Sequence, residues 1–124
     1  MNGYFDSARL LVEHGAAVNL SGEGGNTPLM HAAEGEHAAM TKLLLDNGAS
    51  IDASNDEGWT ALMFAAQGGF VDVIAVLVEK GADVNKQRLD GETALFVASA
   101  NGQVDAVKLL FDHRARVDAA DEDG

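Results

Sequence analysis

The chain repeats itself every 33 residues, and that step constrains its fold more than any other feature. Thr27, Thr60 and Thr93 keep the step, as do Leu29, Leu62 and Leu95, and Ala32, Ala65 and Ala98. Gly25, Gly58, Gly91 and Gly124 keep it too. So do Leu11, Leu44, Leu77 and Leu110, then Ala16, Ala49, Ala82 and Ala115, then Val18, Ile51, Val84 and Val117. This many coincident columns without an insertion mark a repeat architecture, in which each unit buries its apolar faces on its neighbours.

Each period has a physical reading. The three threonines suit N-caps, because a hydroxyl can accept from an orphan backbone N–H. Pro28 follows at the first helical position, where its missing N–H costs nothing. Leu29-Met30-His31-Ala32-Ala33 and Leu62-Met63-Phe64-Ala65-Ala66 then predict a short first helix whose paired small residues allow close helix approach. Turns are expected at Gly35-Glu36, Gly68-Gly69 and Asn101-Gly102. A second helix carries Met40, Leu43, Leu44 and Leu45, or Val73, Ile74, Val76, Leu77 and Val78. Its apolar face is wider than one stripe, so packing on more than one side is expected. Gly48 and Gly81 stop it in the left-handed conformation. A short extended stretch is then expected at 49–52 and 82–85 before the next Gly-containing turn.

Gly25-Asn26-Thr27-Pro28-Leu29-Met30-His31-Ala32-Ala33 resembles the ankyrin repeat, whose signature runs Gly-x-Thr-Pro-Leu-His-x-Ala-Ala. Gly58-Trp59-Thr60-Ala61-Leu62 and Gly91-Glu92-Thr93-Ala94-Leu95 are similar, with Ala for Pro. Leu43–Ala49 and Leu77–Asn85 are similar to the family's second helix and its exit. The resemblance implies an all-α solenoid forming one domain over 1–124. In its phase, 22–54, 55–87 and 88–120 are complete repeats, 1–21 is a partial repeat, and 121–124 begins a truncated one. Met30, Met63 and Phe96 stand where the family usually has His, so that residue's hydrogen bonds between neighbouring loops are expected to be missing. Glu36 and Arg114 stand where Gly is usual. A left-handed backbone at either costs on the order of 1 kcal/mol, which predicts a looser last repeat around Arg114.

Terminal units of a solenoid need a polar outer face. Neither end shows one. A second helix over Tyr4 to His14 has no first helix to cover it, and the other end follows Val117-Asp118-Ala119-Ala120. The chain therefore reads as a segment of a longer array, or as one that stacks on a second copy through its uncapped ends.

Composition narrows the function. With 47% hydrophobic residues a sizeable core is expected. There is no Cys, so disulfides and thiolate chemistry are ruled out. No apolar run approaches the roughly 20 residues that cross a bilayer, and Met1-Asn2-Gly3-Tyr4 lacks a signal peptide's basic start. An intracellular, cytoplasmic location is expected, with the nucleus also compatible. The net charge is −12, from 20 acidic and 8 basic residues, which disfavours nucleic acid and anionic membranes. A protein partner with a basic segment is favoured.

No catalytic, metal or cofactor site is expected. His14, His31, His37 and His113 lie in different phases of the repeat, without ligand spacing. No phosphate loop, nucleophile elbow or His-Glu-x-x-His motif occurs. Asp121-Glu122-Asp123-Gly124 has the start of a calcium loop but neither its other ligands nor its closing Glu. Acidic pairs such as Asp56-Glu57 belong on solvated tips, not in the shielded cleft that acid–base work requires. The chain is not expected to be an enzyme.

The resemblance implies that partners bind at hairpin tips and on the exposed face of the first helix. The residues there between the framework columns are Glu23, Asn26 and Glu34, then Asp56, Glu57, Trp59 and Gln67, then Leu89, Asp90, Glu92 and Asn101. The acidic ones form a negative ridge suited to steering a Lys/Arg-rich segment. Trp59, the sole Trp, is expected to be exposed and to act as an anchor. The resemblance also implies that Asn85, following Asp83 and Val84, matches the pattern that asparaginyl hydroxylases modify.

Overall fold

The structure, a computed structural model, describes residues 18–113. The expected helix Tyr4 to His14, the Arg114 position, the acidic tip at Asp121-Glu122-Asp123 and the column members Leu11, Ala16, Ala115, Val117 and Gly124 lie outside the described residues. Among the described residues six α-helices follow one another: α1 (Pro28–Glu34), α2 (Ala38–Asp46), α3 (Ala61–Gly68), α4 (Val71–Glu79), α5 (Ala94–Ala100) and α6 (Val104–Asp112). The described residues form no strand beyond one isolated bridge between Ser54 and Thr60.

The first helices start as the threonine column predicts. The hydroxyls of Thr27, Thr60 and Thr93 accept from the backbone N–H of Met30, Met63 and Phe96 at 3.3, 3.3 and 3.4 Å. These threonines are buried, so each hydroxyl also satisfies a donor that water cannot reach. Pro28 occupies the first turn of α1. Met30 adds a second link, its Sδ accepting from the Thr27 N–H at 3.4 Å.

The helices stop by one device. After α2 the Ala49 N–H donates to the Leu44 carbonyl at 3.0 Å, and Gly48 donates to Leu45 at 3.2 Å. After α4, Ala82 and Gly81 donate to Leu77 and Val78 in the same way. These 6→1 and 5→2 bonds form a Schellman end, which needs a left-handed residue. Gly48 and Gly81 supply it at φ 95° and 98°. The first helices end alike, with Gly69 at φ 71° and Gly102 at 70°, but α1 must use Glu36 at 63°. Glu36→Gly is therefore expected to stabilise the protein by about 1 kcal/mol, raising Tm by roughly 4 °C. Calorimetry checks it, and an unchanged or lower Tm would contradict the strain. The expected extended stretches are cut short. Turns form at residues 51–52 and 84–85 instead, closed by Ala53 and Lys86 donating to the Ser50 and Asp83 carbonyls. The Asp83 carboxylate promotes the second turn by accepting from the Asn85 N–H at 3.0 Å.

Two layers result. Helices α1, α3 and α5 stack in one, α2, α4 and α6 in the other, and each first helix packs on the second helix that follows it. The alanines of the first helices other than Ala100, with Leu29, Leu62, Leu95, Leu44, Leu77 and Leu110, form one continuous core. As its wide apolar face predicts, α4 contacts α2, α3 and α6. Thr41 in the core returns its hydroxyl to the His37 carbonyl at 2.8 Å. Among the described residues no buried side-chain polar atom lacks a partner.

The flank of α5 and α6 departs from this burial. Met30 and Met63 are buried, yet Phe96 in the same column is only half-buried. Val104 and Phe111 are 63% and 57% exposed. Leu95, Phe96, Ser99, Val107 and Phe111 line an apolar recess of about 240 Å³ there.

Candidate functional site

Among the described residues three loop tips precede the first helices, at residues 22–26, 55–59 and 88–92. Each closes the same way. Gly22, Asn55 and Arg88 donate their N–H to the carbonyls of Asn26, Trp59 and Glu92 at 2.8, 2.9 and 2.8 Å. Gly25, Gly58 and Gly91 donate back to the carbonyls of Gly22, Asn55 and Arg88 at 3.0, 2.9 and 2.9 Å. This tight turn demands positive φ at the glycines, which read 79°, 86° and 90°. The glycine column exists for this reason.

Neighbouring tips are tied to one another. Asp56 donates its N–H to the Gly24 carbonyl at 3.0 Å, and Leu89 donates to Glu57 at 3.4 Å. The Asn55 amide also donates to Asn26 Oδ1 at 2.9 Å. The loops are thus bridged although Met30, Met63 and Phe96 replace the family's His. A second set of bridges runs along the opposite turns. The Asn19 side chain accepts from the Ser50 N–H at 2.7 Å and donates to the Gly48 carbonyl at 3.1 Å. Asp52 accepts from the Asp83 N–H at 2.9 Å.

The second and third tips gather five of the anticipated residues, Glu57, Trp59, Leu89, Asp90 and Glu92, around one that sequence reasoning missed, Arg88, while Asp56 faces the first tip. Its Nε and Nη2 reach the two Asp90 carboxylate oxygens at 3.1 and 2.6 Å, and Nη2 reaches Glu92 Oε1 at 2.7 Å. The guanidinium lies over the Trp59 ring, 4.8 Å from its centroid. The Asp90 hydrogen bond, more than any other contact, keeps Arg88 protonated beyond its usual range, with Glu92 and Glu57 adding to the effect. Arg88 in turn holds the Asp90 carboxyl below the usual carboxylate range, helped by the Glu92 N–H.

Trp59 differs from the expectation of an exposed ring. It is half-buried against the core, with its ring 4.8 Å from that of Phe64 at a 30° tilt and Arg88 on its other contact. Asn55 fixes its loop, the Oδ1 accepting from the Glu57 and Trp59 N–H groups at 2.9 and 3.0 Å. Leu89 is 79% exposed beside it. Together Glu57, Trp59, Arg88, Leu89 and Asp90 line a shallow recess of about 350 Å³.

The other anticipated residues lie elsewhere. Glu23 and Asn26 occupy the first tip. Glu34, Gln67 and Asn101 sit at the far ends of α1, α3 and α5, a helix length from the tips. There the Gln67 carbonyl accepts from the Gln103 side chain at 3.0 Å, and the Asn101 amide caps the Val97 carbonyl at 2.8 Å. Asn85 is half-buried in the turn after α4. On the second-helix layer Asp46 joins Lys42 of α2 to Lys80 after α4 at 3.0 and 2.8 Å. Lys80 first and Lys42 second lower its pKa. Among the described residues no group of three or more His, Cys, Asp or Glu could hold a metal, and no helix is long and apolar enough to cross a membrane.

Helical pairs stacked in single file, with capped first helices and tight loop tips, define a repeat solenoid. The chain belongs to the ankyrin-repeat family: models of that family, described as ankyrin repeats in three and in many copies, match residues 47–121 and 11–69. No curated protein matches the chain. Ankyrin repeats are in general protein–protein interaction modules.

Proposed function

We propose that this chain binds a protein partner carrying a basic segment, through the surface lined by its loop tips and first helices. The repeats at 22–54, 55–87 and 88–120 supply one tip each to that surface. The observation that carries the reading is the division of labour at the tips. Asp90 and Glu92 are engaged by Arg88, whereas the carboxylates of Glu23, Asp56 and Glu57 make no hydrogen bond or ion pair among the described residues. These three, on adjacent tips, are the charges left to attract a cation. With a net charge of −12 behind them, they favour fast, salt-sensitive association. Binding rather than catalysis is supported because the ionisable groups lie on open tips.

The test compares the wild type with a Glu23→Lys/Asp56→Lys double variant in capture from lysate, then times association with the captured partner. The variant is expected to associate about tenfold more slowly at low ionic strength, and the difference is expected to close at high salt. Equal rates at low salt would refute the reading. The charges to reverse exclude Asp90 and Glu92, because changing those would also release Arg88 from Trp59.

The open flank of α5 and α6 favours a second reading, in which copies stack through the recess at Phe96 and Phe111. Exposed apolar area of this kind promotes association. Light scattering would then show mass rising with concentration and falling back in Phe111→Glu; a constant monomer mass contradicts stacking.

A further inference from the structure

The recess between the middle and last tips has a chemistry of its own. One wall is apolar: the Trp59 ring, held against Phe64, and Leu89, which is 79% exposed. The remainder is charged and asymmetric. One guanidinium, Arg88, faces three carboxylates, Asp90, Glu92 and Glu57, and all three act on it. The local charge is therefore negative even after Arg88 is counted.

Arg88 is poorly placed to receive an incoming anion. Its Nε and Nη2 are spent on Asp90 and Glu92, and its face is spent on Trp59. Glu57 is in the opposite condition. Its backbone is fixed, the N–H on Asn55 Oδ1 and the carbonyl accepting from Leu89. Its carboxylate makes no hydrogen bond or ion pair among the described residues. The recess thus offers an apolar wall to a hydrocarbon stem and, on a fixed backbone, one carboxylate without a hydrogen bond or ion pair to a cationic head.

We propose that this recess receives a single lysine or arginine side chain from the partner's basic segment. The stem lies along Leu89 and Trp59, and the charged end pairs with Glu57. This rests on the interaction reading above and names the contact that gives it specificity. A long basic side chain suits such a site because its methylenes can be buried while its head stays polar. An acidic or purely apolar residue would leave Glu57 unpaired or repelled.

Trp59 is the only tryptophan, so its fluorescence reports on the recess directly. The probe is a blocked peptide of alternating lysine and alanine, with its glutamate counterpart as control. Titration of the lysine peptide is expected to change Trp59 emission saturably, and the glutamate peptide is expected to do nothing. Glu57→Gln should weaken binding at least fivefold and Leu89→Ala about threefold. Glu79→Gln removes the same charge from an exposed position at the end of α4 and should leave affinity within twofold. Circular dichroism of each variant checks folding. Equal losses in Glu57→Gln and Glu79→Gln would mean undirected charge attraction and overturn the proposal. So would an unaffected Glu57→Gln, or no emission change at all. If these fail while the Glu23→Lys/Asp56→Lys variant still slows partner association, the recess is wrong and the interaction reading stands. If ridge reversal has no effect, that reading is the one lost.

Discussion

Leu77→Ala is expected to lower the free energy of unfolding by about 3 kcal/mol, within the usual range for a buried leucine truncated to alanine. Leu77 is fully buried in α4, at 0% exposure, and α4 packs on α3 within its own pair and on α2 and α6 on either side. Truncation leaves a void that the neighbours can fill only in part, so lost transfer energy and cavity cost add. In a solenoid the damage is felt twice, because stability is the sum of unit and neighbour terms and α4 contributes to both. Urea denaturation followed by circular dichroism measures the loss. Leu89→Ala, with the same change in side chain at a residue 79% exposed, should move the midpoint hardly at all. A loss under about 1 kcal/mol at Leu77 would mean that the stacked core is not where the stability resides.

A second large effect is expected at a residue with no side chain. Gly58→Ala should cost about 3 kcal/mol, whereas Gly48→Ala should cost about 1. Both glycines have positive φ, 86° and 95°, so both substitutions carry the left-handed penalty. They differ in what the new methyl would meet. At Gly48 no described atom lies within 4 Å. At Gly58 the Cβ would stand 2.7 Å from the Leu89 N, 3.0 Å from the Arg88 Cα and 3.1 Å from the Arg88 carbonyl carbon. These are backbone atoms of the next tip, which cannot swing aside as a side chain can. The tips must part, and the Leu89 N–H bond to the Glu57 carbonyl parts with them. Hydrogen exchange at the Leu89 amide should therefore accelerate beyond what the global loss explains. Equal costs at Gly58 and Gly48 would show that the tips are not in close contact.

The framework was legible because framework positions recur. The threonine caps, the buried Leu and Ala columns and the left-handed glycines each serve the same purpose in each unit, so the 33-residue step exposed them. The tip chemistry was not legible, and the reason is geometric. The first residue of one tip meets the last residue of the tip before it: Asn55 meets Asn26 through a hydrogen bond, and Arg88 meets Trp59 through its ring face. The position of the contact repeats but its chemistry does not, so no column of like residues announces it. Trp59 looked exposed because no framework role attaches to its position; Phe64 of the following helix and Arg88 of the next tip, both variable in kind, cover it. The acidic ridge was legible as a set of charges, but not the pairing of Asp90 and Glu92 with Arg88. The shortening of the expected extended stretch at 82–85 traces to Asp83, whose carboxylate accepts from a backbone N–H two residues on.

The peptide groups joining Gly24 to Asp56 and Glu57 to Leu89 have one more consequence. Register between adjacent units is held there by main-chain atoms common to all residues except proline as donor. Side chains at 56, 57 and 89 can accordingly be rewritten without disturbing alignment, much as type can be reset on an unchanged press. New specificities should be accessible by exchanging those letters alone, provided that none of the replacements at 56 or 89 is proline.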